Sequence, residues 1–301
     1  VTIGRAGDGT GTMSIGETAA IDLSGETFGL SLVGTSSNVV FDANGITLGD
    51  DETFDFTIGA GNITSAAVAA ITIGGAGTIT FTSAGTVGAN GAELNTVVSN
   101  LGASTTTGDV FIDNTGALDI SGAFDVAGNN LTLENTAAVT QTGAITAGGL
   151  ELLGTGSYIL NNAANAVAEL AANITEELQF TNNANLNVTT VTGDATEGIN
   201  TTDDNVTIAI GNNALTVSQA IAAGDGAVSL TSNTIAIAAA VTGNAGGIAL
   251  IPDAAATTVA LNDATGTFSL TEAELQLLAS DTTVTIGRAG DGTGTMSIGE
   301  T

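Results

Sequence analysis

Short runs in which apolar and small polar residues alternate recur along the chain and restrict its fold more than any other feature. Between positions 206 and 270 these runs read VTIAI, LTV, VSL, IAI, IAL, VAL and FSL, and Gly, Asn, Asp or Thr bounds them. Alternation over three to five residues between turn-forming residues is typical of short β-strands. The sequence therefore predicts many short strands connected by tight corners.

A common step separates these runs. Val228, Ile248 and Phe268 follow one another at a constant interval, and the same interval separates Leu215 from Ile235. A step of about 20 residues that holds two or three strands forms one coil of a β-solenoid, in which each coil hydrogen-bonds to the coils on either side. We therefore predict an all-β chain folded as a β-solenoid with coils of about 20 residues and insertions at some corners.

One segment, residues 270–280, also has a helical pattern. Thr271 and Glu274 have the spacing of a capping box ahead of apolar residues, which predicts a short helix. The alternative is that the leucines of this segment, Leu270, Leu275 and Leu278, continue the solenoid core.

The sequence VTIGRAGDGTGTMSIGET occurs twice, in residues 1–18 and again in residues 284–301. An identical match of this length indicates a tandem array whose period is the separation between Val1 and Val284. We expect residues 1–283 to be one full repeat of a continuous solenoid and residues 284–301 to be the start of the next. The sequence leaves a second interpretation open, in which separate subunits assemble helically and the overlap spans a subunit boundary.

The charge balance excludes several partners. The chain has 31 acidic residues and two basic ones, Arg5 and Arg288, which occupy the same place in the repeat, for a net charge of -29. Such a chain lacks the cations that neutralise phosphate, so we expect it to bind neither nucleic acid nor anionic lipid. Hydrophobic residues make up 43% of the chain, which is enough for a core. No apolar run approaches the ~18 residues of a membrane span, so we expect no membrane insertion.

The residue types available argue against an enzyme. General acid–base and nucleophilic catalysis rely mainly on His, Lys or Cys, and the chain contains none of the three. The glycines of IGGAGTIT, Gly74, Gly75 and Gly77, are interpreted as turn residues rather than a phosphate loop because no Gly-Lys-Ser/Thr follows them. We expect no catalytic residues and no required cofactor.

Calcium is the one ligand that the sequence suggests. Hard cations bind several carboxylate oxygens, and two acidic clusters, GDDETFDF and TTDDN, could supply them. Neither cluster follows the EF-hand pattern or the nonapeptide of calcium-binding β-rolls, and a solvated acidic face is the alternative. The candidate ligands are Asp50, Asp51, Glu52, Asp55, Asp203 and Asp204.

Three segments, FSLTEAELQLLASDTTVTIG, GAITAGGLELLGTG and DVFIDNTGALDISG, resemble the strand-rich repeats of very large bacterial surface and secreted proteins of the filamentous-haemagglutinin type. The resemblance covers nearly the whole chain and implies a right-handed parallel β-helix, export across the envelope and a role outside the cell.

These expectations combine into two functions. The first is a structural repeat of an extracellular or cell-surface filament, sheath or stalk, in which the protein's partner is itself, assembled end to end and laterally, with divalent cations as further ligands. The second is a spacer in a giant adhesin, whose binding domain would lie outside these residues.

Overall fold

The structure is a computed structural model and describes residues 1–5, 9–66, 70–126, 128–262, 266–288, 290 and 292–299. The regular secondary structure of these residues is almost entirely β-strand, and the parallel strands stack in coils of roughly 22 residues. The predicted all-β solenoid and its step are therefore confirmed. The chain divides into two compact units, Val1–Gly154 and Thr155–Thr301. No helix in the described part of the chain is long and apolar enough to span a membrane.

The strands described in the first compact unit are β1 (Thr2–Arg5), β2 (Thr12–Ile15), β3 (Ile21–Leu23), β4 (Leu30–Gly34), β5 (Asn38–Phe41), β6 (Ile46–Leu48), β7 (Thr53–Thr57), β8 (Ile63–Ser65), β9 (Ala70–Ile73), β10 (Thr78–Ser83), β11 (Leu94–Val97), β12 (Asn100–Leu101), β13 (Ser104–Thr105), β14 (Val110–Asn114), β15 (Leu118–Ile120), β16 (Phe124–Asp125), β17 (Asn130–Asn135), β18 (Val139–Gln141) and β19 (Ile145–Gly154).

In this unit the strands form columns of parallel neighbours, one strand from each coil. One column runs β1-β4-β7-β10-β12-β15-β18. A second contains β2-β5-β8, and a third runs β3-β6-β9-β11-β14-β17-β19. The short strands β13 and β16 pair in the order β13-β16-β19. Each coil thus contributes to several sheets, as a solenoid requires.

The elements described in the second compact unit are β20 (Tyr158–Leu160), β21 (Ala166–Ile174), β22 (Leu178–Thr181), β23 (Leu186–Val188), β24 (Ile199–Thr201), β25 (Val206–Ala209), β26 (Ala214–Val217), β27 (Ile221–Ala222), β28 (Val228–Ser232), β29 (Thr234–Ile237), β30 (Val241–Thr242), β31 (Ile248–Pro252), β32 (Val259–Leu261), β33 (Phe268–Leu270), α1 (Glu272–Leu275), β34 (Leu278–Ala279), β35 (Val284–Ile286) and β36 (Met296–Ile298).

The second unit has the same parallel arrangement. One column runs β20-β22-β25-β28-β31-β35. Two others start from the long strand β21 and run β21-β23-β26-β29 and β21-β24-β27-β30-β34. A small sheet with the order β33-β32-β36 completes the unit.

Alternation along most strands places every second side chain inside the coil. In β25 the inward residues Val206 and Ile208 are fully buried, while the intervening Thr207 is half-buried. Because parallel strands pair in register, like side chains stack from coil to coil, as Val206 does on Val228. Burial of such ladders is the main source of stability, at about 25 cal/mol for each Å² of apolar surface removed from water.

The first unit adds an aromatic cluster to its core. Phe54 and Phe56 lie with ring centroids 4.5 Å apart, and Phe56 stacks on Phe81 of the next coil at 5.6 Å. Phe41 meets both β7 rings edge to face. These distances are in the range of favourable aromatic pairs, which contribute about 0.5–1.5 kcal/mol beyond their buried area.

The predicted pairing of residues one step apart is confirmed twice and wrong once. Val228 pairs with Ile248, and Leu215 pairs with Ile235. Phe268, however, does not pair with Ile248, because Ile248 pairs with Val284 instead.

The segment between β31 and β34 holds the additional strands of the small sheet, and Phe268 lies in one of them, β33, paired with Val259. Equal spacing of apolar residues does not reveal which column a strand joins, because an inserted strand has the same alternation as a strand of the main coil.

Both interpretations of residues 270–280 hold in part. A helix forms, but α1 has only four residues, with Thr271 as its N-cap and a capping box to Glu274. On either side, Leu270 is buried in β33 and Leu278 pairs with Val241 in the solenoid wall. The capping box is therefore real, and the strand pattern around it limits the helix to one turn.

Candidate functional site

The candidate calcium ligands Asp51 and Asp203 lie at coil corners. Both have a left-handed backbone, with φ of 63° and 60°. The Oδ1 atom of Asp51 accepts a hydrogen bond from the backbone N–H of Ala76 at 2.6 Å, and Oδ1 of Asp203 accepts one from Asp225 N–H at 3.1 Å. In each case the carboxylate satisfies a backbone donor of the adjacent coil, so these two aspartates connect successive corners.

The adjacent corner glycines explain why the aspartates fit. Gly75 stacks on Asp51 with φ of 59°, and a Cβ there would lie 2.2 Å from Asp51 Oδ1. Gly224 stacks on Asp203 in the same way, with φ of 55° and the same 2.2 Å approach. The glycines of IGGAGTIT thus serve a turn, as the sequence predicts.

Asp55 lies on the outer face of β7 and is the centre of a hydroxyl cluster. Its Oδ2 accepts from Ser31 Oγ at 3.1 Å and from Thr57 Oγ1 at 2.8 Å. Its Oδ1 accepts from Thr80 Oγ1 at 2.8 Å and also from the hydroxyl of Thr82. Partial burial alone would raise the pKa of Asp55, but the four hydroxyl donors outweigh it and hold that pKa below its ordinary value.

The remaining candidates, Asp50, Glu52 and Asp204, lie beside these residues. Asp50 packs against Gly74 of the next coil, where a Cβ would lie 2.0 Å from its Oδ1. Asp204 uses its backbone oxygen to accept the hydroxyl of Thr201 at 2.5 Å.

The six candidates are not gathered into a metal centre. Within the described residues, no group of three or more acidic side chains is placed to hold a metal ion. Calcium binding by the six candidates stays a prediction, to be tested with the ion itself.

A separate acidic column stacks carboxylates on one another. Asp113 of β14 pairs in register with Glu134 of β17, and Glu93 lies close to both. Burial raises the pKa of Asp113, and repulsion from Glu93 raises it further. Burial likewise raises the pKa of Glu134, with repulsion from Asp113 and Glu93 adding to it. Because burial and mutual repulsion oppose the ionisation of Asp113 and Glu134, their negative charges destabilise the fold at neutral pH.

A buried polar ladder lies at residues that were not among the sites predicted from the sequence. Asn114 and Asn135 are fully buried, and Asn114 Nδ2 donates to Asn135 Oδ1 at 2.9 Å. Asn114 Oδ1 accepts from Thr96 Oγ1 at 2.9 Å and from Val98 N–H at 3.0 Å. Asn135 Nδ2 donates to the backbone oxygen of Gly116 at 3.0 Å. The signal that could have revealed this ladder is the recurrence of an acidic residue followed by Asn-Thr, in IDNTGA and LENTAA, 21 positions apart.

The repeated segment occurs as residues 1–18 and again as residues 284–301. The strands of its two copies pair with neighbours that lie in opposite directions along the chain. In the first copy β1 pairs with β4, and β2 pairs with β5, both of which follow the segment. In the second copy β35 pairs with β31, and β36 pairs with β32, both of which precede it. The strands of the repeated segment therefore pair along one side in the first copy and along the other side in the second.

The two copies share backbone features at two glycine positions. Gly4 has φ of 114° and its counterpart Gly287 has φ of 115°. A Cβ at Gly9 and one at Gly292 would each lie 2.8 Å from the backbone oxygen of the preceding arginine, Arg5 or Arg288. These two positions keep the same local geometry although the neighbouring strands differ.

Each copy borders a cavity. In the first copy Ile3, Met13 and Ile15 line an apolar cavity together with Leu30 and Leu32.

In the second copy Arg288 and Met296 line a cavity with Pro252 and Val259, and Arg288 Nη1 donates to the backbone oxygen of Asp253 at 2.6 Å. Both cavities lie where the repeated segment meets its neighbouring strands.

Comparisons with known proteins leave the chain without a relative to name. No protein-family model matches it, and neither a curated protein nor a solved structure matches it.

Proposed function

We propose that the chain is a structural repeat of an extracellular filament, sheath or stalk, in which acidic β-solenoid repeats equivalent to residues 1–283 stack end to end. The observation that carries this proposal is the use of opposite sides of the repeated segment in its two copies. A segment that pairs with following strands at the start of a repeat and with preceding strands at its end can join one repeat to the next without a change of fold. Length is then set only by the number of repeats, which is what a filament or stalk needs.

The charge supports the same role. Edges of parallel sheets pair readily with other strands, and proteins limit this by charge. The net charge of -29 with only two basic residues makes the outer surfaces of neighbouring filaments repel one another, while end-to-end stacking uses backbone hydrogen bonds that charge does not block. The proposed location outside the cell follows from the resemblance to secreted haemagglutinin-type repeats.

Trypsin digestion of the denatured, purified protein tests whether repeats are covalently continuous. Arg5 and Arg288 are the only basic residues, so trypsin cuts each repeat once. A continuous array gives a partial-digestion ladder in which each step has the mass of one repeat, slightly less than the 29.1 kDa of the whole chain. Undigested material that already runs at the length of one repeat would rule out a covalent array.

Electron microscopy of the undigested protein tests the filament itself. Filaments that lengthen by end-to-end addition, or that pack several chains side by side, support the proposal. Single fibres of fixed length with a distinct domain at the tip would contradict it and favour the adhesin spacer.

A further inference from the structure

The opposite pairing of the two copies also indicates which residues meet at the junction between repeats. The second copy is held on one side by β31 and β32. Its other side corresponds to the side that β1 and β2 use in the first copy, where they pair with Leu30–Gly34 and Asn38–Phe41.

We propose that β35 and β36 of one repeat pair with β4 and β5 of a second copy of the repeat, in the register that β1 and β2 use there, so that consecutive repeats share a single coil. This inference rests on the proposed stacking function and specifies its interface. The expected register places Thr285 opposite Ser31, Ile286 opposite Leu32, and Met296 opposite Val39. In separate chains the incoming segment takes the place of the recipient's own residues 1–18.

The glycines of the repeated segment support a coil with two neighbours. A Cβ at Gly4 would lie 2.0 Å from the backbone oxygen of Val33 in the following coil, whereas one at Gly287 would meet only the Met296 side chain, at 3.6 Å. Conversely, a Cβ at Gly294 would lie 2.0 Å from the backbone oxygen of Thr257 in the preceding insertion, whereas one at Gly11 meets nothing within 4 Å. The close contact between coils thus falls on Gly4 in the first copy and on Gly294 in the second, and a shared coil makes both contacts.

The apolar side chains show the same division. Val1 and Ile3 are 61% and 50% exposed in the first copy, where the preceding coil of a repeat is not in contact with them. Met296 is 55% exposed in the second copy, where the following coil is not in contact with it. In the shared coil Met296 lies opposite Val39, which is fully buried in β5. The two sets of contacts do not overlap, so one segment can make both.

Disulfide crosslinking between separate chains tests this register, because the chain has no cysteine of its own. One chain carries Gly4→Ala and Ser31→Cys, and the other carries Thr285→Cys. Gly4→Ala weakens the recipient's own residues 1–18 on the β4 edge through the contact with the Val33 oxygen. Adjacent parallel strands lie ~4.8 Å apart, within the ~4.4–6.8 Å that a disulfide spans between Cα atoms.

The two chains are denatured, refolded together and oxidised, and the products are separated on a non-reducing gel. We expect a crosslinked pair of chains at several-fold higher yield than with an off-register recipient carrying Gly4→Ala and Val33→Cys. Ser31→Cys without Gly4→Ala is a second recipient, which keeps Gly4 and loses only the hydrogen bond from Ser31 to Asp55. It should crosslink at a lower yield than the Gly4→Ala recipient but above the off-register background.

An in-chain control shows that the second copy is folded. Ala249 and Thr285 are register partners within the second unit, so a chain with cysteines at both positions should close its disulfide whether or not chains associate. If this control closes while neither Ser31→Cys recipient crosslinks to Thr285→Cys, the shared coil is wrong. Crosslinking of Thr2→Cys to Thr285→Cys would also overturn it, because the two segments would then stack directly on each other.

Microscopy of the same samples separates this inference from the proposed function. Filaments without the Ser31–Thr285 crosslink would leave the filament role intact and overturn only the shared coil. A crosslink without filaments would support the shared coil and contradict the filament role. Absence of both would overturn both.

Discussion

Ile15 and Ile298 occupy the same position in two copies of one sequence, yet Ile15 is 7% exposed and Ile298 is 71% exposed. Ile15 is covered because β2 pairs with β5 through the register Ile15–Phe41. Ile298 pairs instead with Leu261 of the small sheet, on its other side. The burial of this isoleucine is therefore set by which neighbour is present and not by the segment itself.

The same contrast predicts unequal effects of one substitution at two identical positions. Gly294→Ala should destabilise the second unit by about 1–3 kcal/mol, the usual cost of overpacking, because its Cβ meets the Thr257 oxygen. Gly11→Ala, its matched control, should change the free energy of unfolding by less than about 0.5 kcal/mol. Thermal and urea unfolding of the two variants measure the difference. Equal losses at both positions would show that the two copies have the same neighbours.

Asp55→Asn should destabilise the first unit by about 1–3 kcal/mol, since a neutral amide loses the charge that strengthens the four hydroxyl bonds and keeps only one acceptor oxygen. Asp119→Asn is a matched control on the same column, where the carboxylate accepts from the two hydroxyls of Thr140 and Thr142. Its loss should be about half as large. Urea unfolding at pH 7 measures both variants.

The pH dependence of the Asp55 effect follows from the sign of its shift. Its pKa is lower in the folded chain than the ordinary 3.8, so its contribution is fully present above 3.8 and is lost as the pH falls through the lowered value. The difference between Asp55→Asn and the unmodified protein should therefore shrink in acid. A difference that stays constant down to full protonation would show that the hydroxyls do not favour the charged form.

Removing charge from the acidic column should stabilise the protein. Asp113→Asn and Glu134→Gln should each raise the free energy of unfolding at pH 7 by about 0.2–1 kcal/mol, the size of a cross-strand pair effect. Because both groups have a raised pKa in the fold, the fold is favoured while they are protonated and loses that advantage as the pH rises through the raised values.

The gain from these two variants should consequently vanish in acid and should decrease with added salt, which screens the repulsion. Glu17→Gln is the control, because Glu17 is exposed and lies outside this column. Chemical denaturation at two salt concentrations measures the effect. A destabilised Asp113→Asn protein would show that the column is held by a bound cation instead of repelling itself.

Asn114→Ala should be among the most damaging substitutions in the first unit, with a loss of about 2–4 kcal/mol. It leaves the buried Thr96 hydroxyl, the Val98 N–H and the Asn135 oxygen without their partner, and each unpaired buried group costs about 1–3 kcal/mol. Asn161→Ala is the matched control, because Asn161 makes a similar ladder contact to Gln179 in an exposed position, where water replaces it. Hydrogen exchange at Val98 N–H measures the local effect.

The fold class followed from the sequence because its signals are local. Alternation in runs such as VTIAI and VSL depends only on neighbouring residues, and the recurrence from Val228 to Ile248 is visible in one dimension. The same holds for the capping box of Thr271 and Glu274, whose two members lie within one turn. The absence of Lys, His and Cys is likewise a property of composition, so the expectations on partners and catalysis required no structure.

Pairing between distant residues was decided only by the tertiary structure. Phe268 has the spacing of a core partner of Ile248, but the insertion places Val284 there instead. Asp51 and Asp55 are close in sequence and were grouped as metal ligands. The fold gives them different donors, because one lies at a corner and the other on a sheet face.

The repeated segment separates what the sequence determines from what depends on the tertiary structure. Its sequence by itself determined the separation between the two copies, and Gly4 and Gly287 have nearly the same φ. Which of its sides pairs, and whether Ile15 or Ile298 is buried, depended on coils that come from elsewhere in the chain. Hydrogen bonding and burial in a solenoid act between coils, along a direction that the one-dimensional sequence does not contain.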